Sequence, residues 1–237
     1  MPLLISDILS KIFDASIIKF KDRQNAAELL CSILRNKLNK LPYDEVLLLG
    51  IPRGGIIVGD IIAKKFGFYL DIVIPKRIVS PHNREISIGA IMKDNTTYFN
   101  NLLIKKLGIT AAYLNLEKEN QLREIEKSEI LLGQQINGEL IKEKNIILVD
   151  DGVATGSTLI VSSRWIKKNK PKNLIILTPV CPKPVLKLLK KEADYIESII
   201  APSLKNFTTI EGFYHNFEQL EIGTINNILK KYKNELN

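Results

Sequence analysis

Two adjacent carboxylates, Asp150 and Asp151, end the aliphatic run "NIILV" and precede "GVATGST", a stretch of small and hydroxylic residues. Carboxylate oxygens accept hydrogen bonds, and a neighbouring pair suits the vicinal hydroxyls of a ribose. The bend behind them offers donors instead. Backbone N–H groups of a turn that opens a helix converge on anions. Val153, Ala154, Thr155, Gly156, Ser157 and Thr158 therefore read as a phosphate cradle, with hydroxyls from Thr155, Ser157 and Thr158. Diol acceptors followed by such a cradle describe a site for a ribose 5-phosphate. A single capping Asp would account for a Gly-rich turn, but not for two acids and a whole cradle. No Lys follows Gly156, which separates the loop from GxxxxGK[ST], and GxGxxG is missing. This reading requires both carboxylates to face an open cleft. Turned inward and salt-bridged, they would remove its basis.

Three further groups could act on the same ligand. In "GIPRGG" small residues let the backbone approach an anion, and Arg53 beside Gly54 and Gly55 brings charge-assisted donors for phosphate oxygens. Lys76 and Arg77 are placed to neutralise a departing anion, or else form a solvated pair. Phe213, Tyr214 and Phe217 offer two readings, a stack for a planar acceptor or the hydrophobic plug of a hood. His82, Arg84, His215 and Trp165 carry no comparable signal; the histidines fit exposed loops and Trp165 fits packing. Cys31 and Cys181 lack the spacing of a zinc site or a disulfide framework.

The elements that must position these groups alternate between two periods. Apolar residues at three- and four-residue spacing predict a helix over residues 23–39. A buried strand follows at 45–51, then a helix closed by Gly67 and a strand at 69–75. Residues 76–87, with Pro81 and Asn83, read as a loop; "IGAIM" and "TTYF" fit short antiparallel strands; 114–132 is a charged helix. Strand, helix, strand, helix, strand then run from "KNIILVD" to "DYIESIIA". Continuously apolar strands separated by single helices call for a doubly wound α/β fold, a mainly parallel sheet with helices on both faces. Ligands of such sheets sit beyond the carboxyl ends of the strands, where Asp150 and Asp151 emerge. One domain over 1–237 is expected, its core at about 20–200 and a small hood with a helix at about 201–237.

"ILVDDGVATGST" resembles the signature of type I phosphoribosyltransferases, enzymes that use phosphoribosyl pyrophosphate (PRPP). The resemblance extends through "FKDR", "LGIPRGG", "EISIGAI" and "FYHNFEQ", and is nearest to a group of uncharacterised phosphoribosyltransferases. It implies transfer of ribose 5-phosphate to a nitrogenous acceptor such as a nucleobase, with Mg2+-dependent release of pyrophosphate. It assigns pyrophosphate to Arg53, Gly54 and Gly55, and catalytic work to Asp150, Asp151, Lys76, Arg77 and to Glu85, the last in a mobile loop. Magnesium would meet Asp150 and Asp151 indirectly, through ribose hydroxyls or water. Related proteins usually carry Arg then Lys where this chain has Lys76 then Arg77, and the two are not interchangeable. Position in the family places Phe213, Tyr214 and Phe217 against the acceptor, and a homodimer is implied.

Composition limits the partners. A net charge of +8 favours an anionic partner, yet lysine dominates and is spread along the chain. No helix-turn-helix, RNA-binding motif or basic tract is visible, so nucleic acid is not expected; a PRPP-sensing regulator that binds it is the alternative. A phosphatase or kinase-like reading lacks a Walker lysine and a nucleophile elbow. No apolar run reaches the roughly 18 residues of a membrane span. "MPLLISDILSKIF" reads as an amphipathic helix rather than a signal peptide, so a cytoplasmic protein is expected.

Overall fold

A computed structural model of the protein describes residues 19–38, 45–133 and 135–233. The expected helix at 1–13 lies outside them. The core is a five-stranded sheet, β1 (Val46–Gly50), β2 (Tyr69–Ile72), β6 (Asn145–Val149), β7 (Asn173–Val180) and β8 (Tyr195–Ile200), in the order β2-β1-β6-β7-β8. Every neighbouring pair is parallel. The α/β architecture is thus the one expected.

Alternation along the strands explains why both faces need cover. On β6, Ile146 and Leu148 enter one apolar cluster while Ile147 and Val149 enter another. The cluster of Ile147 and Val149 is completed by α1 (Arg23–Leu38), α2 (Gly54–Phe66), part of α4 (Ala111–Leu132) and α7 (Ile222–Lys233). The cluster of Ile146 and Leu148 is completed by α5 (Ser157–Lys168) and α6 (Lys183–Leu189). Each fully buried aliphatic side chain contributes about 1.5–3 kcal/mol of transfer free energy. Strands buried on both sides therefore read as unbroken apolar runs.

A second, antiparallel sheet, β3 (Lys76–Val79), β4 (Ser87–Ile91) and β5 (Thr97–Phe99), lies in the order β3-β4-β5. Here the expected loop over 76–87 is corrected. β2 ends at Ile72, and Lys76 and Arg77 open a strand of their own. Its first two positions are polar and open, its last two buried, so neither period shows. Pairing with β4 makes it a strand, an instance of context overriding local pattern. A short helix, α3 (Asn101–Lys106), also escaped the periodic reading; the Asn100 side chain caps it by accepting from the Leu103 N–H at 3.1 Å.

After β8 the chain passes through 3-10 turns at Leu204–Asn206 and Glu211–Phe213 and returns to the start of the described chain. Phe20 bridges to Tyr214, with Phe20 N–H donating to the Phe213 carbonyl at 2.9 Å and His215 N–H to the Phe20 carbonyl at 2.8 Å. This strap closes on the carboxyl edge of the sheet.

Candidate active site

The site is a cavity of about 570 Å3 at that edge, between the ends of β1 and β6 and the start of β3. It gathers Arg53 and Gly54 from the β1–α2 turn, Lys76 and Arg77 from β3, Glu85 from the β3–β4 turn, and Asp150 to Gly156 with Thr158 from the β6–α5 turn. Gly55 and Ser157 are not among the residues that line it. A Cβ on Gly55 would come within 2.5 Å of the Val149 carbonyl, so this turn can pass under β6 only without a side chain. The Pro52–Arg53 peptide is cis.

The β6–α5 turn leads from the strand end into a helix. Gly156 adopts φ 78°, which turns the chain sharply into α5. The N–H groups of Ala154, Thr155 and Gly156 make no backbone hydrogen bond among the described residues. The Thr155 and Ser157 hydroxyls lie 3.2 Å apart; Ala154 and Thr155 are exposed and Ser157 is buried. Open N–H groups and a hydroxyl thus stand together at the head of a twelve-residue helix, where backbone donors and the helix dipole favour negative charge.

The two acids part company. Asp150 lines the cavity and accepts from the Asp151 N–H at 2.9 Å. Burial and the adjacent Asp151 carboxylate push it well above the usual carboxylate range, against the pull of that N–H and of Arg23. Asp151 is only half of what was expected. It also lines the cavity, but its Oδ2 is held by Arg23 Nε at 2.7 Å, an ion pair with 10% and 13% of the two side chains exposed. The bend is open and Asp150 has no such partner, so the condition set by the sequence is met for one acid and broken for one oxygen of the other. Arg23 Nη1 also donates to the Glu218 carbonyl at 2.8 Å, and its guanidinium lies 3.7 Å from the centre of the Phe217 ring. Tyr214 Oη donates to the Asp151 carbonyl at 2.6 Å.

The aromatic trio therefore takes the packing role. Phe213 and Tyr214 are buried, Tyr214 contacts Phe20 and Phe217 at 5.3 and 5.0 Å, and Phe207 stacks on Phe213 at 5.7 Å. None of the three lines the cavity, so stacking on an acceptor is not where the structure places them. Ile210 from the same strap does line it, packed over Gly152.

Among the basic residues, Arg53 is oriented by donating Nη1 to the Leu220 carbonyl at 2.7 Å. Partial burial lowers the Lys76 ammonium below the ordinary lysine range; Glu124 opposes this and Arg53 adds to it. An added anion would relieve both costs. Glu85 is exposed on a tight turn, its N–H donating to Asn83 Oδ1 at 2.8 Å. His82 is exposed and off the cavity. Two contributors went unassigned in the sequence. Arg23 was present in "FKDR" without a role, and Gln121 lines the cavity from α4. No sequence signal marked Gln121, which stands among charged residues on a helix whose inward face only the packing defines.

Known proteins resemble this chain in sequence and in fold. The phosphoribosyl transferase domain family matches residues 92–218, more than half of the chain. Two Mycobacterium tuberculosis proteins, of strains CDC 1551 and H37Rv and each provisionally named a phosphoribosyl transferase, are 25% identical over 200 residues. These matches cover 84% of this chain and 44% of each relative, so the chain spans less than half their length. The crystal structure of TT1426 from Thermus thermophilus is similar in fold, with a TM-score of 0.69 at 24% identity over 91% of this chain and 99% of that one.

Proposed function

Because the chain belongs to the phosphoribosyl transferase domain family, we propose that it transfers ribose 5-phosphate from PRPP to a nitrogenous acceptor and releases pyrophosphate. The observation that carries this is convergence. An open anion cradle, a carboxyl group with no cation paired to it and three basic side chains from two elements meet in one cavity sized for a sugar phosphate and its leaving group.

In this reading the cradle from Val153 to Thr158 takes the 5-phosphate, and Asp150 with the remaining oxygen of Asp151 accepts from the ribose hydroxyls. Arg53, Lys76 and Arg77 face the pyrophosphate. As the C1–O bond breaks, its electron pair leaves on the pyrophosphate oxygen and the ring gains oxocarbenium character. The acceptor nitrogen lone pair then forms the new bond to C1, and its proton leaves to solvent. Cationic side chains fixed before the reaction stabilise the developing charge, and the cradle holds C1 in line with the acceptor. No covalent nucleophile is needed.

The donor set bears on magnesium. Among the described residues no group of three His, Cys, Asp or Glu side chains could hold a metal ion. Asp150 and Asp151 would instead hold such an ion indirectly, through ribose hydroxyls or water. Such an ion would lower the cost of charge on pyrophosphate.

Calorimetric titration with PRPP and magnesium, followed by detection of pyrophosphate release across a panel of bases, tests the proposal. Asp150→Asn, which leaves the buried Arg23–Asp151 pair in place, is expected to abolish PRPP binding while the fold persists. Unchanged affinity would remove the assignment. Tight PRPP binding with no turnover on any base, together with DNA or RNA binding, would favour a regulator.

A further inference from the structure

The inward stripe of α4 runs through Glu117, Gln121, Ile125 and Leu132, its four buried residues. Ile125 and Leu132 join the apolar core, whereas Glu117 and Gln121 are polar and only 3% and 8% exposed. Burying a carboxylate and a carboxamide on a helix that could pack with leucines carries a desolvation cost. The cation nearest to Glu117, Arg84 at 3.8 Å, is itself on an exposed side chain, too loose a partner to offset it. The polar step in the stripe coincides with the place where α4 borders the cavity, since Gln121 lines it together with Val79 and Arg84. Tyr113 Oη fixes the helix there by donating to the Val79 carbonyl at 2.9 Å.

The carboxamide is also aimed. Gln121 Nε2 donates to Glu117 Oε1 at 2.9 Å, while Glu117 Oε2 accepts from Asn120 Nδ2 at 3.3 Å. A flipped amide would set Gln121 Oε1 against a carboxylate that only accepts, so the charge of Glu117 decides the orientation. One Nε2–H is spent on Glu117, leaving a second N–H and Oε1 for the cavity. A neighbouring donor and acceptor complement the –NH–CO– edge of a lactam and the amino–ring nitrogen edge of adenine alike, so the choice between them falls to a third group. Arg84, next to Gln121 in the wall, adds donors that suit an oxo group and repel an amino group.

Resting on the transferase reading of this cavity, we propose that Gln121, oriented by Glu117, forms the acceptor subsite and that Arg84 beside it makes the subsite select an oxo-heterocycle by its lactam edge. Gln121 touches the acceptor; Glu117 is a positioning residue. The trio on the strap takes no part in this recognition.

The test is a titration of hypoxanthine, uracil and adenine into the protein saturated with ribose 5-phosphate and magnesium pyrophosphate, which together cannot transfer. Hypoxanthine and uracil should bind, with adenine weaker by roughly tenfold or more. Gln121→Met should weaken both oxo-bases by roughly tenfold or more while PRPP affinity stays within about twofold, which also reports that the variant is folded. Gln121→Asn, a milder change, should weaken the same two ligands in the same direction. Arg84→Met removes the donors that favour an oxo group and should bring adenine to within a few-fold of hypoxanthine, an effect that loss of packing would not produce. Glu117→Gln, which releases the amide, should weaken the oxo-bases less than Gln121→Met does and leave PRPP affinity unchanged. Failure of both oxo-bases to bind, a preference for adenine, or oxo-base affinity indifferent to Gln121→Met would overturn the subsite. A native protein that does not bind PRPP would overturn the transferase reading itself; PRPP binding without any response to the Gln121 variants would overturn only the subsite.

Discussion

Gly54 is bare because the Asp151 carboxylate stands where its side chain would be. A Cβ built there lies 1.8 Å from Oδ2 and 2.0 Å from Cγ, so even alanine would expel the carboxylate. Gly54→Ala should weaken PRPP binding about ten- to hundredfold, from about 1–3 kcal/mol of overpacking at the site. Titration of the variant alongside a thermal melt checks this; unchanged affinity would mean that Asp151 is not placed for the sugar. The sequence revealed that Gly54 lay in a tight turn and that Asp151 ended a strand. It could not reveal that they touch, because 96 residues separate them. The aromatic trio was ambiguous for a similar reason: rings suit a plug and a stack equally until burial is known. The burial of Phe213 and Tyr214, away from the cavity wall, decides it.

Among the elements, the strap and the start of α1 act as one device, although they lie at opposite ends of the described chain. Phe20, Tyr214, Phe217 and Arg23 close around Asp151, so the carboxylate is held from both directions. Arg23→Leu leaves that buried charge unpaired and should cost about 3–5 kcal/mol in denaturant unfolding. Adding Asp151→Leu should recover part of it; a single variant as stable as the native chain would show the pair to be idle. The longer helices were legible by their period and the parallel strands by unbroken apolar runs, as in β6 and β7. β3 was not, since its polar half faces the cavity and its partner strand supplies the structure. Arg23 lacked a readable role because a helix-start arginine usually meets water.

For the molecule as a whole, apolar side chains left outside matter most. Ile130 and Leu131 on α4 are 83% and 50% exposed, and Leu131 shares a hollow with Ile222 of α7. That face suits the homodimer implied by the family resemblance. Light scattering should find a dimer that Ile130→Glu with Leu131→Glu converts to monomer, whereas a native chain already monomeric at tens of micromolar would remove the assignment. No helix among the described residues is long and apolar enough to cross a membrane. The chain has a single tryptophan, Trp165, 6% exposed and two turns beyond the cradle on α5. Its indole emission should therefore be blue while the helix is packed and move to the red on unfolding. Every substitution above thus comes with a built-in optical gauge, able to tell a lost ligand contact from a lost fold without any label.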